Sequence, residues 1–188
     1  MMRLGYRKTS TVLTPGQRDK IDRTITEAFS LCCPQGCWRR IGITEKKKDR
    51  TVLQDGSVLK SVSLALLLHE SNAVALMAST VGQEIVEAAA EAMRNSDGAT
   101  ATIYDAVGGQ SADAVMNWIN NFIRGQLSRG AERLTKQRFS PGYGDLGLEN
   151  QKVIHSLLDL GKLGITLSSR FMLIPEKSVT AIAGIENG

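Results

Sequence analysis

The sequence has 188 residues, of which 42% are hydrophobic and 22% are charged, a balance that is typical of one globular domain (1–188) and excludes a disordered chain. No apolar run approaches the roughly 18 residues of a membrane-spanning helix, and no hydrophobic signal core is present, so we expect a cytoplasmic protein without membrane contacts. The first 50 residues carry 12 basic and 5 acidic side chains, but no nucleic-acid-binding motif accompanies this surplus, so we expect no nucleic-acid partner.

The first half of the chain predicts helices around one buried strand. Thr14 and Pro15 are an N-cap residue and a proline suited to the first helical position, and apolar residues then recur at helical spacing as far as Cys32. The following pattern predicts a short strand at 39–44, a charged loop at 45–50, a turn at 55–56, a helix at 57–70, a buried strand at 72–79 and a helix at 83–94.

The second half predicts two further helices and two extended segments. The stretch 98–107 is predicted to be a second buried strand that Gly108 and Gly109 end, before a long helix at 111–127. We expect the buried stripe of that helix to contain Ala114, Val115, Trp118, Ile119, Phe122 and Ile123. Another helix is predicted at 149–160, and segments 165–174 and 178–185 are predicted to form a hairpin across 175–177. The predicted fold class is α+β, with a mixed or antiparallel sheet that has a C-terminal β-hairpin and is covered by helices.

Three cysteines lie close together at Cys32, Cys33 and Cys37. An odd, local set is not a disulfide framework, so we expect reduced thiols. A zinc site would need a fourth ligand, and His69 and His155 are distant in the sequence. The sequence therefore favours structural thiols at the end of a helix.

The most unusual segment is 138–145, Arg-Phe-Ser-Pro-Gly-Tyr-Gly-Asp. Its proline and two glycines exclude a regular helix or central strand, and Gly142 and Gly144 would let a ligand approach the backbone closely. Arg138 offers a planar cation suited to a carboxylate, and Tyr143 a flat face suited to an adenine ring or a sulfonium. The residues alone leave open a plain surface turn.

This segment resembles the Arg-x-x-x-Gly-Tyr loop of the activation domain of cobalamin-dependent methionine synthase. A second segment, 167–179, is similar to that family's Leu-Thr-Glu-Ser-Phe-x-Met-x-Pro-x-x-Ser-Val sequence, with Ser169, Arg170 and Leu173 as departures. The segment 3–7, Arg-Leu-Gly-Tyr-Arg, and the order of helices look like the short, free-standing members of the family.

The resemblance implies a set of binding residues for S-adenosylmethionine. Arg138 would hold the methionyl carboxylate, Ser140 and Tyr143 would contact the ligand through backbone groups around adenine, and Pro141 and Gly142 would shape the loop. Asn117 stands where the family has a ligand-directed glutamate, and an amide cannot neutralise the cationic end of the ligand. The residues implied to face the corrin ring of cobalamin are Tyr143, Phe171, Met172 and Pro175.

The resemblance also implies a function. The domain would bind S-adenosylmethionine for the reductive methylation, and so the reactivation, of cob(II)alamin on a corrinoid-binding protein or in a split methionine synthase. The implied partners are therefore a corrinoid-binding protein or the chains of a cobalamin-dependent methyltransferase. The electron would come from a flavodoxin- or ferredoxin-type donor. No catalytic residue and no metal site is expected on this chain. Its implied contribution is to hold S-adenosylmethionine in position for the reaction. The alternatives are a non-catalytic docking or chaperone protein for a corrinoid carrier, which no longer binds S-adenosylmethionine, and a small-molecule-binding domain unrelated to cobalamin.

Overall fold

The computed structural model describes residues 13–188, so the 3–7 segment lies outside the described residues. Five α-helices and eight strands form in this range. They are α1 (Pro15–Ser30), β1 (Gln35–Lys46), β2 (Arg50–Leu53), β3 (Val58–Lys60), α2 (Val62–Leu67), β4 (Ala73–Thr80), α3 (Glu84–Arg94), α4 (Gly98–Leu127), β5 (Glu132–Leu134), α5 (Gln151–Leu158), β6 (Thr166–Leu167), β7 (Leu173–Ile174) and β8 (Ser178–Asn187). Within residues 13–188, no helix has both the length and the apolar composition of a membrane-crossing segment.

Six strands form one antiparallel sheet in the order β3-β2-β1-β4-β8-β5. All eight residues of β4 are buried, because β4 lies inside the sheet and is covered on both faces. Alternate side chains of a strand point to opposite faces, and this divides the core into two layers. The fold is therefore α+β with an antiparallel sheet between helices, as predicted.

One face of the sheet packs against α4. The strand residues on this face are largely small, which lets the helix lie close to the sheet. The contacting side chains are Ala73, Ala75, Met77, Ala181, Ala183 and Ile185 from the strands and Met116, Ile119, Ile123 and Leu127 from α4. The opposite face, which includes Val74, Leu76 and Ile182, packs against Leu64, Leu68, Leu146 and Ile154 from the α2 and α5 side.

The predicted strand at 98–107 is wrong, because these residues form the first third of α4. Asp97 caps this helix, its carboxylate accepting a 3.0 Å hydrogen bond from the Thr100 amide. The buried residues Ala101, Tyr104 and Gly108 recur at helical spacing and pack against α1 and α3. An added Cβ on Gly108 would lie 3.1 Å from Lys177 Cγ, so this glycine allows close packing and does not end the helix.

Two other predicted elements differ in extent. The helix predicted at 57–70 is preceded by β3 and begins only after Ser61, whose hydroxyl accepts a 2.9 Å hydrogen bond from the Leu64 amide. A C-terminal hairpin is present, but it joins β6 to β7. The predicted pairing across 175–177 is wrong, since β8 pairs with β4 and β5 in the main sheet.

The buried stripe of α4 is also partly different from the prediction. Ile119 and Ile123 are buried and Val115 is half-buried, as expected. Ala114, Trp118 and Phe122 are exposed. The rings of Trp118 and Phe122 stack on each other at a centroid distance of 5.5 Å on the outer face of the helix.

Candidate functional site

A cleft of about 530 Å³ lies where the 138–145 segment meets α4, α5 and the start of β8. We call it the Arg138 cleft and the segment the Arg138 loop. The residues that line the cleft are Asp113, Arg138, Phe139, Ser140, Pro141, Tyr143, Gln151, Leu173, Ser178, Val179 and Thr180. The two sequence segments singled out above, 138–145 and 167–179, therefore meet at one cleft. Its volume is in the range of small-molecule sites.

Arg138 is held in place by Asn117. Nη2 of Arg138 donates a 2.9 Å hydrogen bond to Oδ1 of Asn117 on α4. Arg138 lines the cleft. Asn117 does not line the cleft, but it contacts Arg138. The structure thus brings these two predicted residues together, with the amide in a supporting position.

The Arg138 loop is a turn, as its composition predicts. The Tyr143 amide donates to the Ser140 carbonyl at 3.1 Å and the Gly142 amide to the Leu146 carbonyl at 2.7 Å. Gly142 has a φ of +94°, a conformation that side chains with a Cβ rarely adopt. At the start of the loop, Phe139 and Ile182 exchange two backbone hydrogen bonds, which join the loop to β8.

Asp145 fixes the far end of the loop to α2. Its carboxylate accepts hydrogen bonds from the Ser61 hydroxyl at 2.7 Å and from the amides of Val62 and Ser63. These donors, the Ser61 hydroxyl first among them, lower the pKa of Asp145 from 3.8 to about 2. The loop is therefore attached to α4, β8 and α2, three elements of the rigid core.

Two of the residues that the resemblance implies to face the corrin ring, Tyr143 and Met172, have exposed side chains. Tyr143 lines the cleft and is 72% exposed, and Met172 is 55% exposed. Phe171 is half-buried, and Nζ of Lys152 lies 4.6 Å from its ring centroid. Pro175 is buried and so does not offer its ring to a partner. Phe171, Met172 and Pro175 lie outside the set that lines the cleft.

Asp113 and Gln151 are polar residues of the cleft that the sequence did not single out. Asp113 is one helical turn before Asn117 on α4, a spacing that places both on one face. Gln151, the first residue of α5, is only 5% exposed, and its Oε1 accepts a 2.7 Å hydrogen bond from the Thr180 hydroxyl. The helical spacing of Asp113 was visible in the sequence, whereas the contact of Gln151 with β8 depends on tertiary structure.

The cysteines and histidines lie outside the cleft. Cys32 and Cys37 are half-buried, and burial raises the pKa of both thiols, while Cys33 is exposed. Among residues 13–188, no three Cys, His, Asp or Glu side chains come together as metal ligands would. His155 makes a 2.8 Å hydrogen bond to the Ile165 carbonyl, which connects α5 to the segment before β6.

A second depression, of about 700 Å³, lies beside α2. Its lining combines basic and apolar side chains: Lys46, Lys47, Lys48, Val62, Ala65, Leu66 and His69. It contains none of the residues that the sequence singled out as ligand-binding. The Arg138 cleft is therefore the candidate functional site.

Comparison with known proteins gives a structural relative. No protein-family model and no curated protein matches the sequence. The structure is similar to the MetH reactivation domain, which was crystallised with AdoHcy bound, at a TM-score of 0.70 and 14% sequence identity. The match covers 97% of this chain and 71% of that chain. At this identity the likeness shows the fold, which is that of the MetH reactivation domain.

Proposed function

We propose that this chain binds S-adenosylmethionine in the Arg138 cleft and acts as a reactivation module for a corrinoid protein. One observation carries the proposal: two segments that are distant in sequence and similar to the methionine synthase activation family line a single cleft, in a chain with the fold of a domain that binds AdoHcy. AdoHcy is what remains of S-adenosylmethionine after it gives up its methyl group.

The lining of the cleft suits a zwitterionic nucleoside. Arg138 has a fixed guanidinium that can bind the methionyl carboxylate with two hydrogen bonds. Asp113 supplies a carboxylate to the ammonium end of the ligand, a role that the amide of Asn117 cannot fill. Tyr143 offers an aromatic face to the adenine or the sulfonium. These groups match the charges and the flat ring of S-adenosylmethionine.

The residues of this chain would bind and orient the ligand. When bound, S-adenosylmethionine would supply a methyl group to the cobalt of a cobalamin held by a partner protein, with one electron from a flavodoxin- or ferredoxin-type donor. Arg138 fixes one end of the ligand, and the exposed Tyr143 and Met172 lie on the surface that would meet the partner. Orientation of two reactants is the catalytic contribution that this arrangement offers.

Calorimetric titration tests the binding step. We expect the protein to bind S-adenosylmethionine and S-adenosylhomocysteine, and Arg138→Ala to weaken both by about 10- to 100-fold, the effect of losing a charged hydrogen-bonded pair. Arg129→Ala, which alters an exposed arginine on the turn after α4, is the matched control and should bind like the parent. An absence of heat and of thermal stabilisation at millimolar ligand would overturn the proposal.

A reconstituted reaction tests the activity. The chain is mixed with a cob(II)alamin-loaded carrier, a reductant and S-adenosylmethionine, and formation of methylcobalamin is followed by its absorption spectrum. We expect methylation that depends on the chain and on Arg138. A chain that binds the carrier but not S-adenosylmethionine would instead be a non-catalytic docking or chaperone protein.

A further inference from the structure

Gln151 is a buried polar side chain in the wall of the Arg138 cleft. It is 5% exposed and is the first residue of α5. A glutamine amide has two N–H donors and a carbonyl oxygen with two lone pairs, and buried polar groups are almost always hydrogen-bonded. The partners of this amide therefore indicate what it does.

Among the described residues, only one side of the amide has a protein partner. The Thr180 hydroxyl donates a 2.7 Å hydrogen bond to Oε1, and Thr180 is itself 1% exposed, so this contact sets the orientation of the amide. Within residues 13–188, Nε2 has no hydrogen-bond acceptor. Because Gln151 lines the cleft, a ligand bound there can accept a hydrogen bond from Nε2.

The charge of the amide limits the chemistry that it can recognise. A neutral amide in a buried wall suits a neutral, hydrogen-bonding ring better than a carboxylate or an ammonium, which need an opposite charge. The charged residues of the cleft, Arg138 and Asp113, lie on or contact α4. Gln151 is held by Thr180 of β8. The neutral amide is therefore attached to β8, whereas the two charged side chains are attached to α4.

We infer that Gln151 recognises the adenine base of the bound nucleoside. This inference rests on the proposed function, which supplies the ligand. Glutamine binds adenine with two hydrogen bonds, the amide N–H donating to a ring nitrogen and the carbonyl oxygen accepting from the exocyclic amino group. The second lone pair of Oε1 remains available for that amino group while Thr180 occupies the first. Thr180 is then a positioning residue that acts through Gln151.

The test compares two ligands that differ only in the base. S-adenosylhomocysteine and S-inosylhomocysteine are titrated into the parent, Gln151→Leu and Thr180→Val by calorimetry. We expect the parent to prefer the adenosyl ligand by about 10-fold or more, because inosine replaces the amino group with an acceptor. Gln151→Leu should weaken adenosyl binding by about 10-fold and reduce the preference to about threefold or less. Thr180→Val keeps the shape of the side chain but loses the hydroxyl. Its preference for the adenosyl ligand should lie between that of the parent and that of Gln151→Leu.

Gln126→Leu, at an exposed glutamine of α4, is the matched control and should retain the preference of the parent. Thermal unfolding checks that each variant folds, and Gln151→Glu, which keeps the length of the side chain but loses the donor, replaces Gln151→Leu if that variant does not. If the Gln151 variants still bind S-adenosylhomocysteine and prefer it to S-inosylhomocysteine as strongly as the parent does, the role of Gln151 is overturned and the proposed function is not. Failure of the parent to bind either ligand would overturn the proposed function as well.

Discussion

Arg138 and Asn117 are 21 residues apart in sequence and joined by a 2.9 Å hydrogen bond between Nη2 and Oδ1. The contact connects the Arg138 loop to α4, the longest helix of the described chain. An arginine that is held before the ligand arrives loses less side-chain entropy on binding. In the proposed complex, Asn117 would therefore act on the ligand through Arg138.

Asn117→Leu should weaken binding of S-adenosylhomocysteine by about 3- to 10-fold, less than Arg138→Ala, because the guanidinium remains but loses its support. The double variant should bind about as weakly as Arg138→Ala alone, since the two residues act as one unit. Calorimetry of the four proteins measures this coupling. Asn121→Leu, on the exposed side of α4, is the control, and fully additive effects of the two substitutions would contradict the prediction.

Asp145→Asn should lower the melting temperature by a few degrees, because the carboxylate that caps α2 is replaced by a weaker acceptor. The pKa of Asp145 is lowered in the folded protein, from 3.8 to about 2. The stability that this carboxylate contributes is therefore fully present above about pH 4 and is lost as the pH falls through its folded pKa of about 2.

Denaturant unfolding of the parent and Asp145→Asn from pH 6 downward checks both statements. The difference in stability between the two proteins should be constant above about pH 4 and should shrink toward pH 2. Asp22→Asn, on the exposed face of α1, is the control substitution. A difference that stays constant to the lowest pH at which the protein folds would show that Asp145 is not the group that titrates.

Gly142→Ala should destabilise the protein by about 1–2 kcal/mol, because φ is +94° there and the new Cβ would lie 3.0 Å from Leu148 Cδ2. It should also weaken ligand binding, since Gly142 shapes the loop between Arg138 and Asp145. Gly125→Ala is the matched control: a Cβ added there would meet no atom within 4 Å, and alanine in a helix stabilises by about 0.5–1 kcal/mol. Thermal unfolding should give shifts of opposite sign, and equal shifts would contradict the structure of the loop.

Trp118→Ser should cost only about 1 kcal/mol, the value of an exposed aromatic stack with Phe122. Met116→Ala should cost about 2–5 kcal/mol, because Met116 is fully buried between α4 and the sheet. Denaturant unfolding measures both free energies. A larger loss for Trp118→Ser than for Met116→Ala would place the tryptophan in the core and reverse the assignment of the two faces of α4.

Local signals explain which elements could be predicted from the sequence. The Thr14 capping box with Gln17, followed by Pro15, marks the start of α1, and the apolar run at 72–79 marks β4. Both depend on neighbouring residues only. The same kind of signal was present in α4, where Asp97 caps the helix. The threonines of that segment are typical of strands, however, and Gly108 and Gly109 were interpreted as the end of a strand.

Long-range contacts explain what could not be predicted. The extended segment 178–187 pairs with β4, about a hundred residues earlier in the chain, and no local pattern distinguishes that partner from the adjacent β7. Hydrophobicity alone also does not decide which apolar side of α4 meets the sheet. In the candidate site, the Arg138 loop was recognisable from its composition, whereas Gln151 enters the cleft only because α5 packs beside β8.

The position of β8 has a consequence for biosynthesis. This strand lies between β4 and β5, and its first residues, Ser178, Val179 and Thr180, form part of the Arg138 cleft. A nascent chain that has not yet released residues 178–187 from the ribosome leaves the hydrophobic edge of β4 without its partner, a state that is prone to aggregation. Under the proposed function, the ligand could bind only after this strand has been translated, so it would not assist the earlier steps of folding.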